Sequence, residues 1–207
     1  MDNETLKELQ ACELEILTVV DAFCKKHEIR YSLYAGTALG AVRHGGFIPW
    51  DDDVDIAMLR TEFDKFCRAW EKEPVEGYYL DSILTNKYCS TCHAKVRKDG
   101  TVFLSSGEVP QKAHNGIWVD VFPIDIIPDD VTIQKEKYRK GTEIILLTRP
   151  NYKSRHDTWK KKIMRTFMRC IPMKIRNGRI VKDHQWLVDH MHDMEIKGYS
   201  YHSMSTI

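Results

Sequence analysis

The stretch YSLYAGTALGAVRHGGFIPWDDDVDIAML, residues 31–59, ends in four aspartates and an alternating apolar segment. The four carboxylates belong to positions 51, 52, 53 and 55. Like charges held this close repel one another, and a bound divalent cation removes that repulsion. Clustered acids are more often a solvated turn or a helix cap, but the apolar residues that follow favour a buried strand and therefore a cation site.

The residues from Asp53 onward alternate between polar and apolar, which predicts a strand. Successive side chains of a strand point to opposite faces, so Asp53 and Asp55 are expected on one face. Val54, Ile56 and Met58 are expected on the other face, in the core. Two carboxylates on one strand face offer the oxygen ligands that Mg²⁺ (or Mn²⁺) takes when phosphates complete its shell. We therefore predict that Asp53 and Asp55 bind metal.

The Gly36-Thr37 step lies between a strand predicted over residues 31–35 and a helical turn predicted over residues 38–43. Glycine at such a step lets the backbone approach a ligand, and a helix N-terminus offers free N–H groups to a phosphate. Thr37 is suited either to cap the helix or to bind a phosphate oxygen. Both residues are therefore candidates for nucleotide binding.

Basic residues follow that step. Arg43 and His44 precede the glycine pair at 45–46, a flexible joint that can fold their side chains toward an anion. We include both among the candidate nucleotide-binding residues.

A second set of basic residues lies on a strand predicted over residues 92–98. His93, Lys95 and Arg97 share one face of it. Lys95 and Arg97 are candidates for holding diphosphate oxygens, and a solvated basic face is an equally good interpretation.

The segment GTALGAVRHGGFIPWDDDVDIAM, residues 36–58, resembles the signature of the LicD family. That family groups bacterial phosphocholine transferases with fukutin-type ribitol-phosphate transferases. The resemblance implies an α+β, nucleotidyltransferase-like fold with a mixed sheet flanked by helices. In the family pattern a Gly-Thr step precedes an Asp-x-Asp pair, matched by Asp53 and Asp55, and a later strand supplies a third carboxylate, matched by Asp120. Weaker similarity runs over about residues 6–128.

Asp120 lies in an alternating segment between Trp118 and Phe122, among large aromatic side chains. A buried carboxylate without a partner is costly, so a metal or a basic group is expected beside it. An ion pair or a capping role is the alternative. Together with the family pattern, this favours Asp120 as a metal ligand or a catalytic base.

Composition bounds the class of protein. The 207 residues include 43% hydrophobic side chains, enough for the core of one domain. The 31 basic and 30 acidic residues argue against a general nucleic-acid binder. The six cysteines are scattered, as in a cytosolic protein with reduced thiols, and the Cys89-x-x-Cys92 string lacks the second pair of a zinc site.

The N-terminus MDNETLKELQ is too polar for a signal peptide, and no apolar run approaches the roughly 18 residues that span a bilayer. These features predict a cytoplasmic protein, in contact with the inner face of the membrane if its acceptor is membrane-linked.

The composition changes after about residue 128. We expect a catalytic core at 1–128 and a mainly helical segment at 129–207 within the same globule. Helices are predicted over residues 132–148, 156–169 and 180–197.

Residues 151–182 carry eleven basic side chains and one acid, Asp157. Trp159, Ile163 and Phe167 are interleaved with them. A helix with a solvated basic face explains this pattern, and so does an interfacial helix attracted to anionic lipid or to a polyanionic glycan.

The resemblance implies metal-dependent transfer of a phospho-alcohol, such as phosphocholine, from a CDP-linked donor to a hydroxyl of a cell-surface glycan or lipid-linked glycan. CMP would be the second product. A nucleotidyltransferase that moves NMP from an NTP and releases pyrophosphate would use the same carboxylates. An inactive nucleotide-binding module is the non-enzymatic alternative.

Overall fold

The computed structural model describes residues 1–82, 93–103, 114–126, 130–148, 159–189 and 201–203. The cysteine string at positions 89 and 92 lies outside them. Within these residues the helices are α1 (Asn3–Lys26), α2 (Ala35–His44), α3 (Arg60–Lys72), α4 (Val131–Thr148), α5 (Trp159–Cys170) and α6 (Met173–Asp189). The strands are β1 (Ser32–Leu33), β2 (Asp55–Leu59), β3 (Tyr78–Asp81), β4 (Ala94–Lys98), β5 (Trp118–Ile126) and β6 (Tyr201–Ser203).

All six strands form one mixed sheet. Its order is β1-β2-β5-β4-β3, and β6 pairs with the far end of β5. β2 and β5 are parallel, and the other pairs are antiparallel. The predicted α+β fold with a mixed sheet and flanking helices is confirmed.

The buried face of β2 is the one predicted from the alternation after Asp53. Val54, Ile56 and Met58 are each at most 1% exposed. The assigned strand begins at Asp55, but the N–H of Asp120 donates to the carbonyl of Val54 (2.9 Å), so the pairing with β5 begins one residue earlier. The core face of β2 therefore holds the acidic face in place.

Helix α1 begins at a defined cap. The Asp2 carboxylate accepts hydrogen bonds from the N–H groups of Glu4 (3.1 Å) and Thr5 (2.8 Å), which are otherwise unpaired at a helix start. Apolar residues at helical spacing, including Ile16 and Val20, are fully buried. The helix packs against β4 and β5, which brings its buried face next to the centre of the sheet.

Helix α2 starts earlier than predicted. The expected strand over residues 31–35 is only Ser32–Leu33, and the helix begins at Ala35 rather than at residue 38. Gly36 and Thr37 therefore lie in its first turn. Thr37 does not cap the helix, because the N-cap residue is Tyr34 and it makes no side-chain cap bond.

Two glycines one helical turn apart give α2 a flat face. A Cβ at Gly40 would lie 2.6 Å from the carbonyl oxygen of Gly46 and 2.9 Å from the N of Ile48. A Cβ at Gly36 would lie 2.8 Å from Oδ2 of Asp51. The chain after α2 thus returns along this face and delivers the aspartates to the start of β2.

Replacing Gly40 by alanine is expected to destabilise the protein by about 1–3 kcal/mol, since backbone atoms must move to admit the methyl group. The matched control is Gly178→Ala on α6, where a Cβ meets nothing within 4 Å. That change is expected to be neutral or to stabilise by roughly 0.5–1 kcal/mol. Urea unfolding of both variants checks this, and equal effects would contradict the close packing at Gly40.

The C-terminal helices form a second packed group. α4 packs against α6 and α5, with Ile144 and Leu187 buried between them. The Lys140 ammonium lies 2.9 Å from the buried Asp183 carboxylate. The predicted second and third helices are observed at Trp159–Cys170 and Met173–Asp189. Positions 156–158 and 190–197 of those predictions lie outside the described residues. The division of the chain at residue 128 stays a prediction.

Among the described residues, no helix combines the length and apolar character needed to cross a bilayer.

Candidate functional site

The parallel pairing of β2 with β5 brings two distant carboxylates together. Asp55 lies directly opposite Asp120 in the register. The backbone of Asp55 is fixed by the start of α2: its N–H donates to Oγ1 of Thr37 (2.8 Å), and its carbonyl accepts from the N–H of Tyr34 (3.0 Å). Thr37 thus positions Asp55 within the fold.

Three more carboxylates lie next to this pair, on the segment 51–53, which we call the aspartate loop. One side-chain oxygen each of Asp51, Asp52 and Asp53 lies within 4.8 Å of the others, close enough to share a cation. Of these three residues, only Asp53 was predicted to bind metal, and in the structure Asp51 and Asp52 lie beside it. The side-chain amide of Gln10 on α1 donates to the carbonyl of Asp51 (2.8 Å) and holds the loop against that helix.

Crowding of these acids changes their protonation. Partial desolvation, followed by the charges of Asp51 and Asp120, raises the pKa of Asp53 to about 6. Burial, followed by the charges of Asp53 and Asp120, raises the pKa of Asp55 to about 7. Each shift reflects burial, which disfavours the charged form, together with repulsion by the neighbouring carboxylates.

Asp120 has basic partners, the alternative that its sequence context left open. Its Oδ1 lies 2.6 Å from Nζ of Lys95 and 2.8 Å from Nε2 of His93. The indole N–H of Trp118 donates to Oδ2 (2.8 Å). Burial alone would raise the pKa of Asp120, but Lys95 and His93 outweigh it and hold the pKa well below its usual value. Asp120 is therefore ionised at any physiological pH.

Lys95 and Arg97 on β4 are buried, so the interpretation of their strand face as a solvated basic face is wrong. Lys95 and Arg97 are each 6% exposed, and both lie over the Trp118 ring, at 4.2 Å and 4.9 Å from its centroid. Arg97 also lies 3.7 Å from the Asp81 carboxylate and donates to the carbonyl of Gly116 (3.1 Å). Their charges are already paired inside the fold, and a role in binding phosphate stays a prediction.

The remaining candidates divide between the two ends of α2. Gly36 and Thr37 lie at its N-terminus, beside the acids. Arg43 and His44 are exposed in its last turn, and a helix of 10 residues is about 15 Å long. The structure therefore groups Gly36 and Thr37 with Asp55 and leaves Arg43 and His44 at the far end of the helix.

One acidic residue near the site escaped sequence reasoning. Glu13 lies on α1, outside the motifs identified in the sequence, and is 2% exposed. Burial, then the charges of Asp53, Asp52, Asp120 and Asp51, raises the pKa of Glu13 to about 8. In the sequence it is one glutamate within an amphipathic helix, and nothing in that pattern distinguishes it from a surface residue.

The donor set fits a divalent cation. The groups are carboxylate oxygens, the ligand type that Mg²⁺ and Mn²⁺ prefer. Burial, followed by the repulsion of neighbouring carboxylates, raises the pKa values of Asp53, Asp55 and Glu13, so the ionised cluster carries an excess of buried negative charge.

The same excess predicts how stability depends on pH. Because the folded-state pKa values of Glu13, Asp53 and Asp55 are raised, the folded protein holds these protons more tightly than the unfolded chain. The resulting stabilisation is complete below about pH 4 and is lost as the pH rises through about 6 to 8. The melting temperature in EDTA should therefore fall from pH 5 to pH 8.5, and Mg²⁺ should restore it most at high pH.

The Asp55→Asn variant is the control for that experiment, because the other titrating groups, including the histidines, remain. Its melting temperature in EDTA should vary less with pH than that of the wild type. An identical pH dependence in both proteins would contradict the assignment to the acidic cluster.

Comparison with known proteins gives consistent matches. Residues 28–145 match a family model described as "LicD/FKTN/FKRP, nucleotidyltransferase domain". The chain is 45% identical over 82 residues to the lipopolysaccharide cholinephosphotransferase LicD of Haemophilus influenzae, a stretch that covers 40% of this chain and 31% of that protein. It is 31% identical over 116 residues to an uncharacterized protein of Rickettsia typhi, covering 56% of this chain and 35% of that one. The chain thus spans about a third of the length of these relatives.

Proposed function

The chain belongs to the LicD/FKTN/FKRP nucleotidyltransferase-domain family, and from that premise we propose that it transfers a phospho-alcohol from a CDP-linked donor to a hydroxyl of a cell-surface glycan. Phosphocholine is the transferred group that the similarity to the Haemophilus influenzae cholinephosphotransferase favours. A glycan of the lipopolysaccharide or teichoic-acid type is the proposed acceptor, and Mg²⁺ or Mn²⁺ the proposed cofactor.

The observation that carries this proposal is the parallel register that sets Asp55 opposite Asp120 beside the aspartate loop. A diphosphate brings further negative charge, and only a site with a cation can bind it against so many carboxylates. Asp53 and Asp55 would hold that cation, with Asp120 at their side. When bound, the cation offsets the negative charge that develops on the transferring phosphoryl group and on the leaving nucleotide.

The proposed reaction is a displacement at the phosphorus that carries the alcohol. The acceptor oxygen forms a new bond to that phosphorus, the bond to the oxygen bridging the two phosphates breaks, and CMP leaves with the electron pair. In this proposal the N-terminal N–H groups of α2 near Gly36 and Thr37 would contact a phosphate oxygen. Asp120 is the predicted acceptor of the hydroxyl proton, but its low pKa makes it a weak base, which favours its other predicted role as a metal ligand. In that case the hydroxyl proton would pass to solvent water.

Product analysis tests the proposal. The protein is incubated with Mg²⁺, a lipopolysaccharide or teichoic-acid preparation, and CDP-choline, CDP-ribitol, CDP-glycerol or CTP in turn. CMP formed from one CDP-alcohol, with the alcohol phosphate appearing on the glycan, is the expected result. Pyrophosphate released from CTP would support a nucleotidyltransferase instead. Absence of turnover together with Mg²⁺-dependent nucleotide binding would support an inactive binding module.

We also propose that the segment 151–182 contacts the membrane surface, where a lipid-linked acceptor would lie. On α5 the side chains of Trp159, Ile163 and Phe167 repeat every four residues and are 67%, 61% and 66% exposed. Lys162 and Arg169 are exposed on the same helix. Apolar side chains beside basic ones are typical of a helix that lies in a membrane interface. This contact would place the protein at the inner face of the membrane.

Sedimentation with vesicles measures that contact. The wild type is expected to bind vesicles rich in phosphatidylglycerol several-fold more tightly than vesicles of phosphatidylcholine, because Lys162 and Arg169 add attraction to anionic lipid. Phe167→Ser should weaken the binding, whereas Val102→Ser, at a side chain 73% exposed outside this segment, should not. Equal binding of both variants would contradict a role for α5.

A further inference from the structure

Glu13 is a buried acid with an unsatisfied carboxyl oxygen among the described residues. Its side chain is 2% exposed, and its Oε2 atom is buried with no hydrogen-bond partner among the described residues. Buried carboxyl groups are normally paired or hydrogen-bonded, since leaving one unsatisfied costs stability. Its neighbours along α1, Leu9 and Ile16, are ordinary core residues. Burying the Glu13 carboxyl group therefore costs folding free energy that the described packing does not offset.

The groups around Glu13 indicate what would offset the cost of burying its carboxyl group. Gln10, one helical turn earlier on the same side of α1, contacts the aspartate loop through its hydrogen bond to Asp51. Glu13 lies on this same side of α1, and the charges of Asp53, Asp52, Asp120 and Asp51 all act on its carboxyl group. A further acid added to a group of acids gains nothing from its neighbours unless a cation lies between them.

A protonated, purely structural Glu13 accounts for these observations less well. A neutral carboxyl group still has polar atoms that need partners, and the described residues supply none to Oε2. A methionine would fill the same volume without that penalty.

We propose that the Glu13 carboxylate is a further ligand of the divalent-cation site, binding a cation held by the aspartate loop either directly or through a cation-bound water. The inference rests on the proposed function, because it needs a cation at that loop. It extends the site beyond the region of the family match, which starts at residue 28. Helix α1 then supplies an oxygen ligand as well as core packing.

Mn²⁺ titration followed by electron paramagnetic resonance of the free ion tests this without an activity assay. The proteins are wild type, Glu13→Gln, Asp53→Asn and Glu8→Gln, the last removing an exposed glutamate of the same helix. Glu13→Gln is expected to weaken Mn²⁺ binding about 10- to 100-fold. In EDTA it should melt at the same or a higher temperature than the wild type, because a neutral amide replaces an unpaired buried acid. Glu8→Gln should change neither property.

Three outcomes would overturn the inference. Unchanged Mn²⁺ affinity in Glu13→Gln, with affinity lost in Asp53→Asn, would remove Glu13 from the site and leave the proposed function intact. A marked drop in melting temperature in EDTA for both Glu13→Gln and Glu13→Met would show that the residue is structural. A wild type that binds no Mn²⁺ would overturn the inference and the proposed cation site together.

Discussion

Replacing Asp55 by asparagine is expected to lower CMP release from a CDP-alcohol by roughly 10²- to 10³-fold. The change removes a charge that would hold the cation, and cation stabilisation of a phosphoryl-transfer transition state amounts to several kcal/mol, at about 1.4 kcal/mol for each tenfold change in rate. Asparagine keeps the shape of the side chain and leaves the N–H of residue 55 free to donate to Thr37. The rate loss should therefore come without loss of the fold.

Stability in EDTA provides the second readout for this variant. Burial, Asp53 and Asp120 raise the pKa of Asp55 to about 7, so removing its charge relieves repulsion and should raise the melting temperature above pH 7. The control is Asp99→Asn, since Asp99 is an exposed residue that pairs with His114 (2.7 Å). A folded Asp55→Asn protein that keeps activity within about threefold of wild type would exclude Asp55 from the catalytic site.

Replacing Lys95 by methionine is expected to cost about 3 kcal/mol or more in the free energy of unfolding. The Lys95 and Asp120 side chains are 8% and 11% exposed, so the change leaves a buried carboxylate with less compensation. Lys98→Met on the same strand is the matched control. The Lys98–Glu15 pair has the same N–O distance of 2.6 Å, but its side chains are 28% and 51% exposed, and its loss should cost under about 1 kcal/mol.

The double variant Lys95→Met, Asp120→Leu completes the test. Removing both charges takes away the unpaired acid, so part of the lost stability should return, while the Trp118 N–H and His93 lose their acceptor. Denaturant unfolding at pH 7 measures all four proteins. Equal costs for Lys95→Met and Lys98→Met would show that burial does not determine the strength of these two pairs.

Local patterns in the sequence were enough to predict parts of this structure. The alternation of Val54, Ile56 and Met58 identified the buried face of β2, because strand periodicity depends only on neighbouring residues. The cost of burying a carboxylate predicted that Asp120 needs a partner, and the family pattern grouped it with Asp53 and Asp55 as a third carboxylate from a later strand. Their proximity is now observed, whereas their roles as ligands remain proposals.

Other parts depend on contacts between distant segments and could not be predicted. Strand alternation placed Lys95 and Arg97 on one face, but only the register with β5 decides that this face is buried and pairs Lys95 with Asp120. Gly36 was expected to admit a phosphate, and the structure shows Asp51 packed against it. Glu13 lies outside every motif, and its relation to the aspartate loop comes from the docking of α1.

The parallel pairing of β2 with β5 also determines when the site can form on the ribosome. β5 pairs with β2, β4 and β6, so the sheet lacks its central strand until β5 has been synthesised. A nascent chain ending near Lys98 already carries the aspartate loop and Lys95 but lacks Asp120 between them. It also exposes the unpaired edges of β2 and β4, which can associate with other chains. Chaperone dependence should therefore be greatest for chains arrested just before β5 and should fall once residue 126 has emerged.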